Sequence, residues 1–278
     1  MHIKLKKEVA KYVLIAFLFS WGTWIAMALL LPPEKAHLPR PWHLVGVAGP
    51  MVAALFLTFR KLGRKGVAKA LSPLIPHKDD LFWSSVGFLT PFVLGAISLE
   101  VFVRLTGGRL SIPTANAFLA LFLTNIILSP LEELGWRGYV LPRIQSGYSA
   151  LRASLVLGVI WGLWHAPFLA IRFYDQIHAV GFLELQGAVL IETVLLSIFM
   201  TWLYNGSRGS LFPVCLFHAN FDTVLSSVTG MHPNPNSIAL FAGPVLGIIA
   251  IVVIIVRFGP ANLATGPKVT TPPEVNTP

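Results

Sequence analysis

Five ionisable residues stand where an otherwise apolar chain has least use for charge. They are Glu132 and Glu133 in "SPLEELGWRGYVLPR", His165 in "VIWGLWHAPFLA", and His218 and Asp222 in "LFHANFDTV". A charged side chain in a membrane helix costs about 2.5–3.5 kcal/mol on insertion scales, so each is a functional candidate by default. A glutamate, two histidines and an aspartate drawn together in an apolar site form a water-activating set. One carboxylate serves as general base, the imidazoles polarise a carbonyl and stabilise its oxyanion, and the second carboxylate orients an imidazole. The same four residues, Glu132, His165, His218 and Asp222, also suit zinc, because two histidines and a carboxylate leave an open coordination position. The cofactor is therefore unknown from sequence, with zinc and metal-free, glutamate-activated water as equal alternatives.

Each residue also has a bland reading. Glu133 and Arg137 are four apart, share a helix face, and can form a structural ion pair. Glu132 lies about 100° around the same helix, so Arg137 cannot easily serve both carboxylates. Pro130 removes a backbone donor just before them, which predicts a break in the helix and a local cavity there. A histidine among tryptophans, as at His165 beside Trp161, is ordinarily a packed, hydrogen-bonded residue. His218 and Asp222 are at i and i+4 and can satisfy one another. Asn220 faces elsewhere, and Cys215 reads as a small apolar residue. Glu100 and Glu184 lie near span ends within reach of water, and Glu192 is mid-span with no partner assigned. Counting from the nearest basic residues puts His218 about 15 Å deep, His165 about 20 Å and Glu132 only about 8 Å. The depths agree only if the helix carrying Glu132 breaks or its end is sunk in a wet cavity.

The elements that must position these residues are helices in a bilayer. Of 278 residues, 55% are hydrophobic and only 12% charged, and mean hydropathy is +0.71. Soluble domains carry roughly 25% charged residues, so this is an integral membrane protein. Runs of apolar residues predict eight spans, near 10–31, 42–60, 81–104, 115–136, 152–173, 183–205, 209–228 and 237–257. The expected fold is all-α and polytopic, one helical membrane domain over 1–258 with its catalytic core in 115–228. A Pro/Thr-rich tail over 259–278 is expected to be disordered. The basic N-terminus followed by a long apolar stretch reads as a retained signal anchor.

Placing both termini in the cytoplasm assigns sixteen of the twenty-one lysines and arginines to inside segments, as the positive-inside rule requires. The five outside are Lys35, Arg40, Arg104, Arg109 and Arg172. The basic loop 60–78 reads as lying on anionic headgroups, so the net charge of +9 implies the lipid bilayer as partner and no nucleic acid. A single cysteine precludes an internal disulfide. The chain has no HExxH for a zinc protease of that kind and no GxSxG around a serine.

"EELGWR", "WGLWH" and "HANFD" resemble, in order, the three motifs of the CPBP family of intramembrane proteases, which includes the type II CAAX prenyl endopeptidases. The resemblance covers about residues 125–225. It implies a helical core with an interior site opening toward the cytosol of a cell (cytoplasmic) membrane. It also implies that Glu132 activates water, that His165, His218 and Asp222 complete the site, and that Glu133 and Arg137 support it. The substrate would be a membrane-associated peptide or protein, with prenylated CAAX-type chains one class. Two positions depart from the pattern: Trp161 stands where Phe is common, and Asp222 where the CAAX-processing members tend to have Asn. The contrasting expectation is a non-catalytic membrane protein of the same fold, an immunity or scaffold factor. A transporter fits less well, since no paired repeat is evident.

Overall fold

The computed structural model describes residues 3–30, 41–106, 114–172, 177–178, 181–231 and 239–270. Every long element among them is helical, as a bilayer demands of a chain whose backbone groups must be satisfied without water. In chain order the helices are α1 (Ile3–Leu30), α2 (Pro41–Val47), α3 (Gly49–Leu71), α4 (Leu81–Thr106) and α5 (Ala115–Glu133). A π-helical turn (Leu134–Val140) and the short α6 (Leu141–Gln145) follow. The remainder are α7 (Ala150–Trp164), α8 (Ala166–Arg172), α9 (Phe182–Gly206), α10 (Phe212–Met231) and α11 (Ala239–Phe258). Five of these stretches are long and apolar enough to cross a membrane: α1, α4, α5 with its π turn and α6, α7 with α8, and α9. Helices α3, α10 and α11 occupy the other three expected spans.

Side-chain caps set several helix starts. Thr114 accepts from Ala117 N at the head of α5, and Ser149 from Arg152 N at the head of α7. Gly63, at φ +62, divides α3 into an apolar part and the basic stretch after it.

The break expected at Pro130 is not there. Pro130 lies inside α5, and the irregularity comes four residues later as the π turn, which widens the helix directly after Glu132 and Glu133. The missing proline N–H is tolerated because neighbouring helices hold this region. Ser129 Oγ, for example, donates to Cys215 O on α10.

Small residues bring the helices together. A Cβ at Gly135 would collide with Tyr12 of α1 and the Pro50 carbonyl of α3, so only glycine lets the π turn nest between those two helices. Gly158 and Gly162 do the same for α7, whose surface meets the α9 backbone at Thr193, Val194 and Leu190. Helix α10 packs against both α4 and α5.

The segments expected on the cytoplasmic side gather at one end of the bundle. Glu8 bonds Lys61 at 3.0 Å and Arg143 at 3.1 Å, and Ser210 donates to Asp80 at 2.7 Å. Leu211 N reaches Pro73 O, and Ala150 N reaches Ala261 O, both at 2.8 Å. Glu100 pairs with Arg104 in the exposed C-terminal part of α4, away from that end. Lys35, Arg40 and Arg109, expected on the other side, are outside the described residues.

Residues 259–270, expected in a disordered tail, are instead fixed across the basic end. Buried Asn205 accepts from Val269 N at 3.1 Å and donates to Asn262 O at 2.8 Å. Buried Gln145 donates to Val269 O at 2.8 Å, and Lys268 Nζ donates to Tyr148 O at 2.7 Å. Leu263 is fully buried. Composition suggested disorder because proline, glycine and threonine dominate, but two buried amides supply the partners that hold this backbone. Residues 271–278 lie outside the described residues.

Candidate active site

The last turn of α5 carries Glu132 and Glu133, and the following π turn carries Arg137. Arg137 Nη1 donates to Glu133 Oε1 at 2.8 Å, and both residues are fully buried, as the four-residue spacing predicts. His218 of α10 reaches the same oxygen, with Nδ1 2.8 Å from Glu133 Oε1. Its Nε2 lies 3.4 Å from Asp222 Oδ2, so the imidazole bridges two carboxylates. Asp222 itself is 45% exposed. Glu133 is thus bound from two sides, and Arg137 has no other anionic partner among the described residues.

Glu132 has a different neighbourhood. Its Oε2 accepts from the indole Nε1 of Trp161 at 2.8 Å, and the residue keeps 8% of its surface exposed where Glu133 keeps none. The guanidinium of Arg137 sits 4.4 Å over the Trp161 ring.

His165 follows directly on α7, where the helix gives way. Three of the carbonyls at that end find donors: Trp161 O from His165 Nδ1 at 2.9 Å, Gly162 O from Gln186 Nε2 at 3.0 Å, and Trp164 O from Trp21 Nε1 at 3.0 Å. These bonds close a helix end that has no water to turn to. They also fix the ring of His165. A carbonyl only accepts, so Nδ1 carries the hydrogen. Nε2 of His165 makes no hydrogen bond among the described residues. The ring packs edge-on against Trp164, with centroids 4.8 Å apart.

All six residues singled out by sequence therefore fall in one region, contributed by α5 with its π turn, α7 and α10. Asn220 does face elsewhere, donating to Phe88 O of α4 at 3.1 Å. Cys215 is buried beside Ser129. Glu192 makes no hydrogen bond among the described residues.

Two contacts are not legible in the sequence: His218 to Glu133, and Trp161 to Glu132. The signal of the second was the tryptophan one turn before His165, at a position read only as packing.

The fit to a metal is poor. Both nitrogens of His218 face carboxylates, one of them the buried partner of Arg137, and Glu132 Oε2 is taken by an indole. Among the described residues no group of three or more His, Cys, Asp or Glu side chains converges as a metal site. Glu132, His165, His218 and Asp222, suggested as a possible ligand set, surround a common region, but no three of them are gathered as a metal-binding group among the described residues.

Residues 114–224 match the family model described as type II CAAX prenyl endopeptidase Rce1-like. A CAAX prenyl protease 2 from Methanococcus maripaludis is 30% identical over 115 residues, which is 40% of this chain. The alignment spans 42% of that relative's length. The family resemblance read from the three motifs is borne out across this segment, which contains every site residue described above. The multi-pass helical architecture accords with it.

Proposed function

We propose that this protein, with an Rce1-like domain over residues 114–224, is an intramembrane endopeptidase in which Glu132 activates water. The observation that carries the reading is the contrast between the adjacent glutamates. Glu133 is enclosed and bound by Arg137 and His218, whereas Glu132 retains accessible surface and one donor on a single oxygen. A general base must keep a lone pair that water can reach, and of the two adjacent glutamates only Glu132 keeps exposed surface.

In the proposed reaction Glu132 takes a proton from water while the water oxygen bonds to the scissile carbonyl carbon. Negative charge moves to the carbonyl oxygen, while His165, its hydrogen on Nδ1, offers Nε2 to accept a hydrogen bond from the attacking water. Glu132 then gives its proton to the amine nitrogen as the C–N bond breaks, and the remaining water proton passes from the new acid to the amine through Glu132, releasing a carboxylate and an ammonium. His218 is held between Glu133 and Asp222 and fixes the α10 side of the site. Arg137 holds Glu133 in place. No step is routed through a metal.

A membrane-associated substrate follows from the bilayer setting, and the relative's name supports a prenylated CAAX-type chain as the first to try. The clustering of basic segments at one end supports a site opening toward the cytosol of the cell membrane.

The test is cleavage of a fluorogenic prenylated CAAX-type peptide by the purified full chain in detergent, with a chelator arm alongside. Wild type should cleave, and Glu132→Ala should not while retaining its thermal midpoint. Cleavage by Glu132→Ala at the wild-type rate would remove Glu132 from the mechanism.

A further inference from the structure

Trp161 meets four of the site's ionisable residues with four different parts of itself. Its indole N–H donates to Glu132 Oε2 at 2.8 Å. Its ring face lies under Arg137, 4.4 Å from the guanidinium carbon. Against His218 the ring stands nearly perpendicular, with centroids 5.5 Å apart. Its backbone carbonyl receives Nδ1 of His165 at 2.9 Å. The side chain is only 2% exposed, so the indole has no freedom to swing away.

We infer that Trp161 is a positioning residue for hydrolysis: its N–H pins one oxygen of Glu132, leaving the other to receive the proton from water. A glutamate has three rotatable bonds, and at the end of α5 nothing else among the described residues holds this carboxylate by a hydrogen bond. Arg137, four residues along the same helix, is committed to Glu133. Without the indole, Glu132 would sample several rotamers and a fraction of them would turn the carboxylate toward the Arg137–Glu133 pair. The indole sets a direction, and direction is what a general base requires of its support. The inference rests on the reading of Glu132 as general base.

Trp161→Phe keeps a ring under Arg137 and keeps the carbonyl that orients His165, and it removes the N–H. Incorporating β-(3-benzothienyl)alanine at 161 is stricter still, since sulfur replaces N–H in a ring of the same shape. Both variants should lower kcat on the prenylated peptide about 10- to 100-fold, the loss expected when one hydrogen bond to a charged group is removed. KM and the thermal midpoint should stay within twofold and a few degrees of wild type. A merely structural role would instead move the midpoint and leave kcat of the folded fraction intact.

A second readout does not depend on turnover. In isotope-labelled protein, the indole N–H resonance that vanishes in Trp161→Phe should move upfield in Glu132→Ala. Full kcat in the benzothienyl variant, or an indole resonance indifferent to Glu132, overturns the positioning role while leaving the proposed protease intact. A wild type that cleaves nothing while the resonance does respond removes the parent reading, and the positioning role falls with it.

Discussion

Glu133→Gln isolates the charge at the centre of the site. The glutamine amide oxygen can still accept from His218 Nδ1, so the principal loss is the negative charge facing Arg137. That pair is 2.8 Å apart with both side chains fully buried. At an effective dielectric constant of about 20, two unit charges at this distance interact by about 6 kcal/mol. Breaking a buried pair by removing one partner ordinarily costs about 3–5 kcal/mol, in keeping with that ceiling. Arg137 Nε and Nη2 have no other hydrogen-bond partner among the described residues, so no second anion is ready to take over. At about 2–4 °C per kcal/mol, the midpoint should fall by about 6–20 °C. The protein carries its own reporter: Cys215, its single cysteine, is buried on α10 beside the site. A thiol-reactive dye that fluoresces on coupling therefore reads unfolding in detergent directly. Adding Arg137→Met to Glu133→Gln removes the stranded cation and should recover most of the loss. A single variant as stable as wild type, or a double variant no better than the single, would refute this account of the pair.

Three further outcomes are expected. Gly135→Val should lower stability by about 1–3 kcal/mol through overpacking against Tyr12 and Pro50, read by the same dye, whereas Gly187→Val, with open space around its Cβ, should be near neutral. A chain ending at Phe258 loses the bonds to Pro260, Ala261, Asn262, Lys268 and Val269. At about 0.5–1.5 kcal/mol each, those six bonds should cost about 3–9 kcal/mol in an unfolding titration. For orientation, cysteines at exposed Asp79 and Glu100 should label with an impermeant maleimide from opposite sides of oriented vesicles, Asp79→Cys from the cytosolic side. Labelling of both from one side would overturn the topology.

Much of this arrangement is visible in the sequence, and the part that is not has a common cause. The helices could be read because twenty apolar residues in a row have few alternatives in a bilayer. The Glu133–Arg137 pair could be read because it lies within one helix, where spacing alone fixes geometry. Contacts between helices were harder. In a membrane the outward faces are as apolar as the packed ones, so no amphipathic stripe indicates which side of α7 meets α5. Glycines at 158 and 162 turn one side of α7 to α9, and Gly135 nests the π turn against α1 and α3; all their partners are far away in sequence. Hence Trp161 read as packing, and His218 was assigned Asp222 as partner without Glu133. The helix irregularity was displaced from Pro130 to the π turn because proline signals the loss of a bond, whereas a π turn depends on what surrounds it. The ordered stretch after Phe258 was missed for the same reason: its partners, Gln145 and Asn205, are more than fifty residues upstream.

That last stretch bears on how the protein is made. Gln145 and Asn205 leave the ribosome early, yet their amides find their remaining partners only at Asn262 and Val269. The two can bond one another in the interval, which leaves the basic end of the bundle provisionally closed by side chains alone. Until residue 269 has emerged, the ends of α6 and α9 lack their backbone clasp, and the helices that carry the site remain free to shift. Completion of this end of the bundle is thereby tied to residues 259–269, so a nascent chain released short of them would be inserted in the membrane without the clasp.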